Sequence, residues 1–296
     1  MRRVCAVLFL LVLAAASFLT ACKNGPKKKL VVGSKFFTEQ VVLAELLAQH
    51  IEAKTSISVE RKTNLGGTLL IHKAMLAGDL DLYVEYTGTA LTAVLGEKPQ
   101  GDSGTTYQHV KEQYAQRFGL EVTEPLGFEN TFAMVIRAED AEKLHLKNMS
   151  DLAAVAPKWH AAVGYEFLER PDGFSGWSRT YGLKFAETPV VMDLGLLYRA
   201  LTQRQADIVA GNSTDGLIET LHLVSLSDDR HYFPPYDAVP VVRRKALEEN
   251  PALRAALSDL AGRISAEEMR RMNAEVDAGQ RDVKAVVREF RQRKGL

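Results

Sequence analysis

Aromatic, hydroxyl and glycine residues follow one another at the end of one predicted strand. Residues 82–89 have the sequence Leu-Tyr-Val-Glu-Tyr-Thr-Gly-Thr and come after the glycine-rich segment 64–68, Asn-Leu-Gly-Gly-Thr. A strand that ends in an aromatic ring, followed by Thr-Gly-Thr at the start of a helix, offers a π-face, a hydroxyl and free backbone N–H groups at one place. Such a corner suits a small cation or zwitterion that is bound without reacting.

Sequence signatures of catalysis are missing from the chain. It contains no Gly-x-Ser-x-Gly elbow, no His-Glu-x-x-His, no Gly-Lys-Ser/Thr phosphate loop and no cysteine cluster. Its seven histidines are scattered, without the spacing of a metal site. Glu85 and Asp215 could pair as in a glycosidase, but nothing in the sequence brings them together. We therefore expect a binding protein with no metal, no cofactor and no catalytic residue.

The charge balance gives no sign of a nucleic-acid partner. The chain has 37 basic and 37 acidic side chains, and 35 basic ones remain if Arg2 and Arg3 are removed with an export signal. It has no basic stripe interleaved with aromatic residues, which a nucleic-acid surface would need.

The first 21 residues have the features of that signal. Two arginines follow Met1, and the apolar stretch 6–19 is short for a bilayer span. Small residues before Cys22 resemble a lipobox, so we predict a signal peptide over 1–21 and lipid on Cys22. The alternatives are an ordinary signal peptide or a membrane anchor with a chance cysteine. Residues 22–29 would then form a hydrated tether that holds an exported protein at a membrane.

Short apolar segments alternate with amphipathic ones, which predicts an α/β fold with mainly parallel strands. Two such sets predict two lobes, one made of residues 30–131 with 237–296 and the other of residues 132–236. Thr38 can cap the first helix of the first lobe. The C-terminal region is predicted to form three helices, over residues 248–264, 266–278 and 282–294.

The candidate residues fall where the two lobes should meet. Lys35 follows the first strand and Tyr86 ends the third, whereas Phe132 and Tyr236 lie where the chain passes between lobes. Small-molecule sites in such folds form between domains and at the carboxyl ends of strands. The sequence therefore predicts a ligand site in the cleft.

Seven motifs lie in order along the chain. They are Val32-Gly33-Ser34-Lys35-Phe36-Phe37-Thr38-Glu39-Gln40, Asn64-Leu65-Gly66-Gly67-Thr68, Glu85-Tyr86-Thr87-Gly88-Thr89, Asn130-Thr131-Phe132-Ala133, Glu166-Phe167-Leu168-Glu169-Arg170-Pro171-Asp172-Gly173, Ser213-Thr214-Asp215-Gly216 and Phe233-Pro234-Pro235-Tyr236-Asp237-Ala238-Val239-Pro240. Together they resemble the substrate-binding lipoproteins of ABC importers for osmoprotectants, which bind glycine betaine, choline, carnitine and related compounds. The resemblance covers residues 29–296. It implies a type II periplasmic-binding-protein fold, a monomer, and delivery of the ligand to an ABC permease.

The family's pocket is an aromatic box, because a trimethylammonium group has no N–H to donate and is selected by π-faces and shape. The resemblance assigns Tyr86 and Tyr236 as walls. Phe132 stands where the family often has tyrosine, and Asn212 stands where many members place a further tyrosine. The cage is therefore expected to be wider. It would then bind a bulkier ligand such as ergothioneine, or it would bind glycine betaine weakly.

Lys35, Thr89 and Arg170 match the positions that hold the carboxylate of betaine-type ligands in some members. Two cations near the pocket would disfavour a ligand without an anion, so we expect a zwitterion. Two rival hypotheses are an enzyme on the same fold, which would show turnover, and a sensor, which would have a signalling partner in place of the permease.

Overall fold

The first sheet is built from two successive β-α-β units, a fourth strand before the chain crosses to the second sheet, and one strand that returns after the second sheet. The computed structural model describes residues 29–99 and 101–296; the predicted signal peptide and Cys22 lie outside them. The strands are β1 (Leu30–Gly33), β2 (Val59–Lys62), β3 (Leu82–Tyr86), β4 (Leu120–Val122) and β10 (Ala238–Arg243), in the order β2-β1-β3-β10-β4.

The second sheet has the same arrangement. Its strands are β5 (Phe132–Arg137), β6 (Ala161–Val163), β7 (Val190–Val191), β8 (Ile208–Asn212) and β9 (Leu223–Ser225), in the order β7-β6-β8-β5-β9. In each sheet four strands run in one direction, and the antiparallel fifth is β10 or β5. That strand is the one the chain enters directly after crossing between the sheets. The predicted α/β fold with two mainly parallel sheets is confirmed.

Helices cover the sheets. The α-helices are α1 (Thr38–Lys54), α2 (Thr68–Ala77), α3 (Thr87–Thr89, continued by a π-helix over Ala90–Val94), α4 (Ser103–Phe118), α5 (Ala138–Leu144), α6 (Tyr165–Glu169), α7 (Phe174–Tyr181), α8 (Leu194–Thr202), α9 (Gly216–Thr220), α10 (Arg244–Glu249), α11 (Ala252–Ser258), α12 (Ala266–Asp277) and α13 (Val283–Lys294), with 3₁₀ turns at Met149–Ala154 and Ala156–Lys158. Within the described residues, no helix has both the length and the apolar character needed to cross a bilayer.

Two local predictions are wrong. Helix 248–264 does not form as one piece, because Pro251 has no N–H for a helical hydrogen bond and the chain breaks between α10 and α11. Thr38 does not cap α1. Phe37 occupies the N-cap position without a side-chain bond, and the Thr38 hydroxyl instead donates to Asp277 at 2.5 Å.

Burial of β3 on both faces fixes the direction of its side chains. Leu82, Val84 and Tyr86 lie in one hydrophobic cluster with residues of α1, and Tyr83 lies in the cluster on the opposite face. Because successive side chains of a strand point to opposite faces, this alternation places Tyr86 on the side of α1.

Candidate functional site

All seven predicted ligand-binding residues line one cavity between the two sheets. It measures about 670 Å³ when the part open to solvent is included. The register of the strands explains part of this convergence, because Phe132 lies opposite Asn212 and Tyr86 lies opposite Ala238, two residues after Tyr236. The predicted residues are Lys35, Tyr86, Thr89, Phe132, Arg170, Asn212 and Tyr236.

Aromatic rings form much of the cavity wall. The rings of Phe132 and Tyr236 are 6.1 Å apart and meet at 78°, in an edge-to-face arrangement. The ring of Phe37 stacks on that of Tyr86 at 6.5 Å and 21°. Phe37 therefore adds a ring to a cage that has Asn212 in place of one expected tyrosine. This lining can surround a cation with π-faces.

Gly88 allows Tyr236 to approach the helix that follows β3. A Cβ atom at position 88 would lie 2.7 Å from the Pro235 carbonyl oxygen and from two carbons of the Tyr236 ring. The backbone oxygen cannot move freely, so the ring would have to shift. Glycine in the Thr-Gly-Thr motif is thus explained by packing against a cage wall.

We expect Gly88→Ala to weaken ligand binding by about tenfold and to destabilise the fold by about 1–3 kcal/mol, because overpacking displaces Tyr236. Calorimetric titration and chemical unfolding would measure the two effects. Gly104→Ala is the control, since among the described residues its Cβ would meet only Asp102, at 3.7 Å, in an exposed helical turn. Equal losses of affinity and stability in the two variants would contradict the packing role of Gly88.

A buried carboxylate behind Tyr86 fixes that ring. Glu39 accepts hydrogen bonds from the Tyr86 hydroxyl at 2.5 Å and the Thr214 hydroxyl at 2.5 Å. It also accepts from the side-chain amides of Asn130 at 2.9 Å and Asn273 at 3.0 Å. Burial raises the pKa of Glu39, although these four donors act in the opposite direction. Glu39 therefore joins Tyr86 to the segment just before β5, to the segment just after β8 and to α12.

Lys35 is buried and has a carboxylate partner. Its ammonium donates to Glu85 at 2.5 Å and to the Thr68 hydroxyl at 2.9 Å, and it lies 5.5 Å from the centre of the Tyr86 ring. A lysine ammonium has three N–H groups, so one remains for a ligand in the cavity.

Arg170 is paired in the same way. Its Nε and Nη2 donate to Asp172 at 2.8 and 2.5 Å, and its Nη1 donates to the Thr89 hydroxyl at 2.9 Å. Within the described residues, three of the five N–H groups of the guanidinium have acceptors, so two remain. The guanidinium also lies 4.9 Å from the centre of the Phe132 ring and 5.9 Å from that of Tyr236. Since both Lys35 and Arg170 have counter-ions, their charges alone do not exclude a ligand that lacks an anion.

Asn212 presents an acceptor in place of the missing ring. Its backbone N–H donates to Asp215 at 2.9 Å, and its side-chain nitrogen lies 3.4 Å from both oxygens of that carboxylate. In the part of the chain that the structure describes, the amide oxygen of Asn212 has no hydrogen-bond donor. It is therefore available to a ligand. Burial raises the pKa of Asp215 to about 6, although hydrogen bonds from Tyr198 and Asn212 oppose the rise.

This shift predicts a pH-dependent stability. A folded-state pKa above the unfolded value of about 4 means that the native protein holds the proton more tightly. The contribution of Asp215 is then fully present below about pH 4 and is lost as the pH rises through about 6. Asp215→Asn imitates the protonated form, so it should gain up to about 3 kcal/mol over the wild type between pH 4 and pH 7. Urea unfolding across this range measures the difference in the free energy of unfolding between Asp215→Asn and the wild type. If this difference does not change with pH, or if the exposed variant Asp229→Asn gains as much, the prediction is contradicted.

The sequence matches a known family over nearly its whole length. A profile of the family described as "Substrate binding domain of ABC-type glycine betaine transport system" matches residues 28–293. The chain belongs to this family. This substrate-binding protein is 34% identical to the carnitine transport binding protein OpuCC of Listeria monocytogenes over 299 residues, covering 99% of this chain and 97% of the relative. It is also 34% identical to the ergothioneine transport permease/ergothioneine binding protein EgtU of Helicobacter pylori, covering 98% of this chain and 52% of the relative.

A solved structure agrees with the fold of this substrate-binding protein. The crystal structure of a glycine betaine/carnitine/choline ABC transporter superposes with a TM-score of 0.76 at 31% identity, covering 90% of this chain and 99% of the solved one. The resemblance inferred from the seven motifs is therefore confirmed.

Several residues that line the cavity of this substrate-binding protein were not predicted. Phe36 and Phe37 follow β1, directly after Lys35, and Tyr165, Glu166 and Phe167 follow β6. Their position after a parallel strand is a signal in the sequence, because residues of the cleft are expected where such a strand ends. The same rule that points to Lys35 and Tyr86 also covers the two residues after Lys35 and the residues after β6 in the second sheet.

Proposed function

We propose that the protein captures a quaternary-ammonium compound in the aromatic cage and delivers it to the permease of an ABC importer. The observation that carries this proposal is the cage itself, with the rings of Tyr86, Phe132 and Tyr236 around one cavity. Phe37 completes the cage from beside Tyr86. A trimethylammonium group is recognised by such faces because it cannot donate an N–H hydrogen bond. Capture and release need no catalytic step.

A betaine-type zwitterion is the ligand we favour. With respect to the residues that the structure describes, Arg170 keeps two N–H groups without an acceptor and Lys35 keeps one, and both side chains line the cavity. The Thr89 hydroxyl accepts from Arg170 and can still donate its own proton. These groups suit a carboxylate at one end of the ligand while the rings hold the ammonium at the other.

A bulkier betaine is the second candidate, and Asn212 favours it. This side chain replaces a ring with a smaller amide and offers an acceptor to a polar group on the ligand. Relatives at 34% identity are named for carnitine and for ergothioneine, both larger than glycine betaine. We therefore include both compounds among the ligands to be tested.

Titration calorimetry on residues 27–296 tests the proposal. Glycine betaine, proline betaine, carnitine, choline and ergothioneine are compared with 3,3-dimethylbutanoate, which has the shape of glycine betaine but carbon in place of the cationic nitrogen. We expect one of the quaternary-ammonium compounds to bind at least about 100-fold more tightly than the carbon analogue, since only the cation gains from π-faces. No heat from any of the five with a folded protein would refute the assignment.

The remaining features of the proposal concern assembly and location. We propose that residues 30–131 and 237–296 form one lobe and residues 132–236 form the other. The two lobes would then close on a ligand in the cleft between the two sheets. A lipid on Cys22 and the tether 22–29 would hold the protein at the outer face of the membrane, next to its permease. We propose that it acts as a monomer.

A further inference from the structure

Glu166 reaches across the cleft to the other lobe. It lies in α6, which follows β6 of the second sheet, and its Oε1 accepts a hydrogen bond at 2.5 Å from the backbone N–H of Thr68 at the start of α2. A Cβ atom at position 67 would lie only 2.7 Å from this oxygen. The absence of a side chain at Gly67 is therefore what allows the carboxylate to approach the helix end.

Positive groups surround the place that Glu166 occupies. Lys35 donates to the Thr68 hydroxyl at 2.9 Å, so the lysine and the carboxylate of Glu166 meet at the same residue. Arg170 lines the same cavity. Burial opposes the ionisation of Glu166, but the charge of Lys35, the Thr68 N–H and the charge of Arg170 outweigh it and hold the pKa below its usual value. We call the groups of Lys35, Arg170 and the Thr68 N–H the anion corner.

The charge of Glu166 is not matched by a close ion pair. Glu85 pairs with Lys35, and Asp172 pairs with Arg170, which accounts for both cations of the corner. Within the described residues, no basic side-chain nitrogen lies within 4 Å of the Glu166 carboxylate. Glu166 lines the cavity, so its negative charge acts directly on a bound molecule.

We propose that Glu166 occupies the anion corner and thereby weakens the binding of ligands that carry their own carboxylate, relative to ligands that do not. A zwitterion must place its carboxylate beside that of Glu166 or displace it from Thr68. A cation without a carboxylate meets a corner that is already filled by an anion of the protein. Glu166 is then a specificity-determining residue of the proposed quaternary-ammonium site, and this inference rests on that proposed function.

The test compares two ligands that differ in one group. Glycine betaine ends in a carboxylate and choline in a hydroxymethyl group, and both have the same trimethylammonium. Calorimetry gives the affinity of each for the wild type and for Glu166→Gln, which keeps an acceptor for the Thr68 N–H but has no charge. Glu169→Gln is the matched control, because Glu169 lies in the same helix, is exposed and does not line the cavity.

We expect Glu166→Gln to raise the ratio of glycine betaine affinity to choline affinity by about tenfold or more, and Glu169→Gln to change it less than about twofold. A purely structural role would weaken both ligands alike and leave this ratio unchanged, which would overturn the inference while the proposed function stands. Failure of the wild type to bind either ligand would overturn both. If Glu166→Gln does not fold, Glu166→Ala, which also removes the charge, must shift the ratio in the same direction; an unchanged ratio there overturns the inference equally.

Discussion

Replacing Tyr86 with leucine should weaken the binding of a quaternary-ammonium ligand by about 30-fold or more. Leucine fills much of the same space but has no π-face, and a desolvated cation–π contact contributes about 2 kcal/mol or more. Tyr86 also contacts Phe37, so its loss disturbs a second ring of the cage. Calorimetric titration with the ligand that binds the wild type most tightly measures the effect.

Tyr86→Phe distinguishes the contribution of the ring to the affinity from that of the hydroxyl. This variant keeps the π-face and loses only the hydrogen bond to Glu39, so its affinity should fall by less than about tenfold. Thermal unfolding without ligand shows whether either variant disturbs the fold. If Tyr86→Leu binds within about threefold of the wild type, Tyr86 is not a wall of the cage.

Residues at strand ends were predictable because their positions depend on local sequence. Lys35 follows a segment that is predicted as a buried strand and Tyr86 ends another, and the carboxyl ends of parallel strands lie along one edge. Their roles as ligand-binding residues come from the resemblance to the family, because the pattern alone favours a structural role for Tyr86. Phe132 and Tyr236 were predictable for a related reason. Each stands at or just before the strand that follows a crossing between sheets, so each lies where the lobes meet.

The partners of these residues were not predictable, because they depend on contacts between distant segments. Glu39 is separated from Thr214 by 175 positions and from Asn273 by 234, and no local pattern joins them. The counter-ions were missed for the same reason. From the sequence, Lys35 and Arg170 count as two unpaired cations and predict a zwitterion, because their pairing with Glu85 and Asp172 is visible only in the folded protein.

Contacts across the cleft gather around the ion pair of Arg170 and Asp172. Arg170 donates to Thr89, and Asp172 accepts from the hydroxyls of Thr92 at 2.9 Å and Tyr236 at 2.5 Å. Burial opposes the ionisation of Asp172, but the hydrogen bond and the charge of Arg170 lower its pKa below the usual value. The pair is therefore expected to contribute both to the stability of the fold and to the affinity for the ligand. Substitutions can measure these two contributions separately.

Arg170→Met should destabilise the folded protein by about 3–5 kcal/mol, because it leaves the carboxylate of Asp172 buried without its cation. Methionine keeps an unbranched apolar side chain against Phe132, so the loss is mainly one of charge pairing. Chemical denaturation of the unliganded protein measures the free energy of unfolding. Glu249→Gln, in the exposed pair with Lys245, is the control and should cost less than about 1 kcal/mol.

The double variant Arg170→Met/Asp172→Asn should recover most of that stability but not the affinity for glycine betaine. Removing both charges leaves neither member of this pair as an uncompensated ion, and such replacements of buried pairs are often close to neutral. The ligand carboxylate, however, still loses the two N–H groups that Arg170 has available, so its affinity should remain at least about tenfold below the wild type. Recovery of both properties would show that Arg170 serves only the fold. If stability stays low, the ion pair is not what Arg170 contributes, because removing the charge of Asp172 would then have relieved nothing.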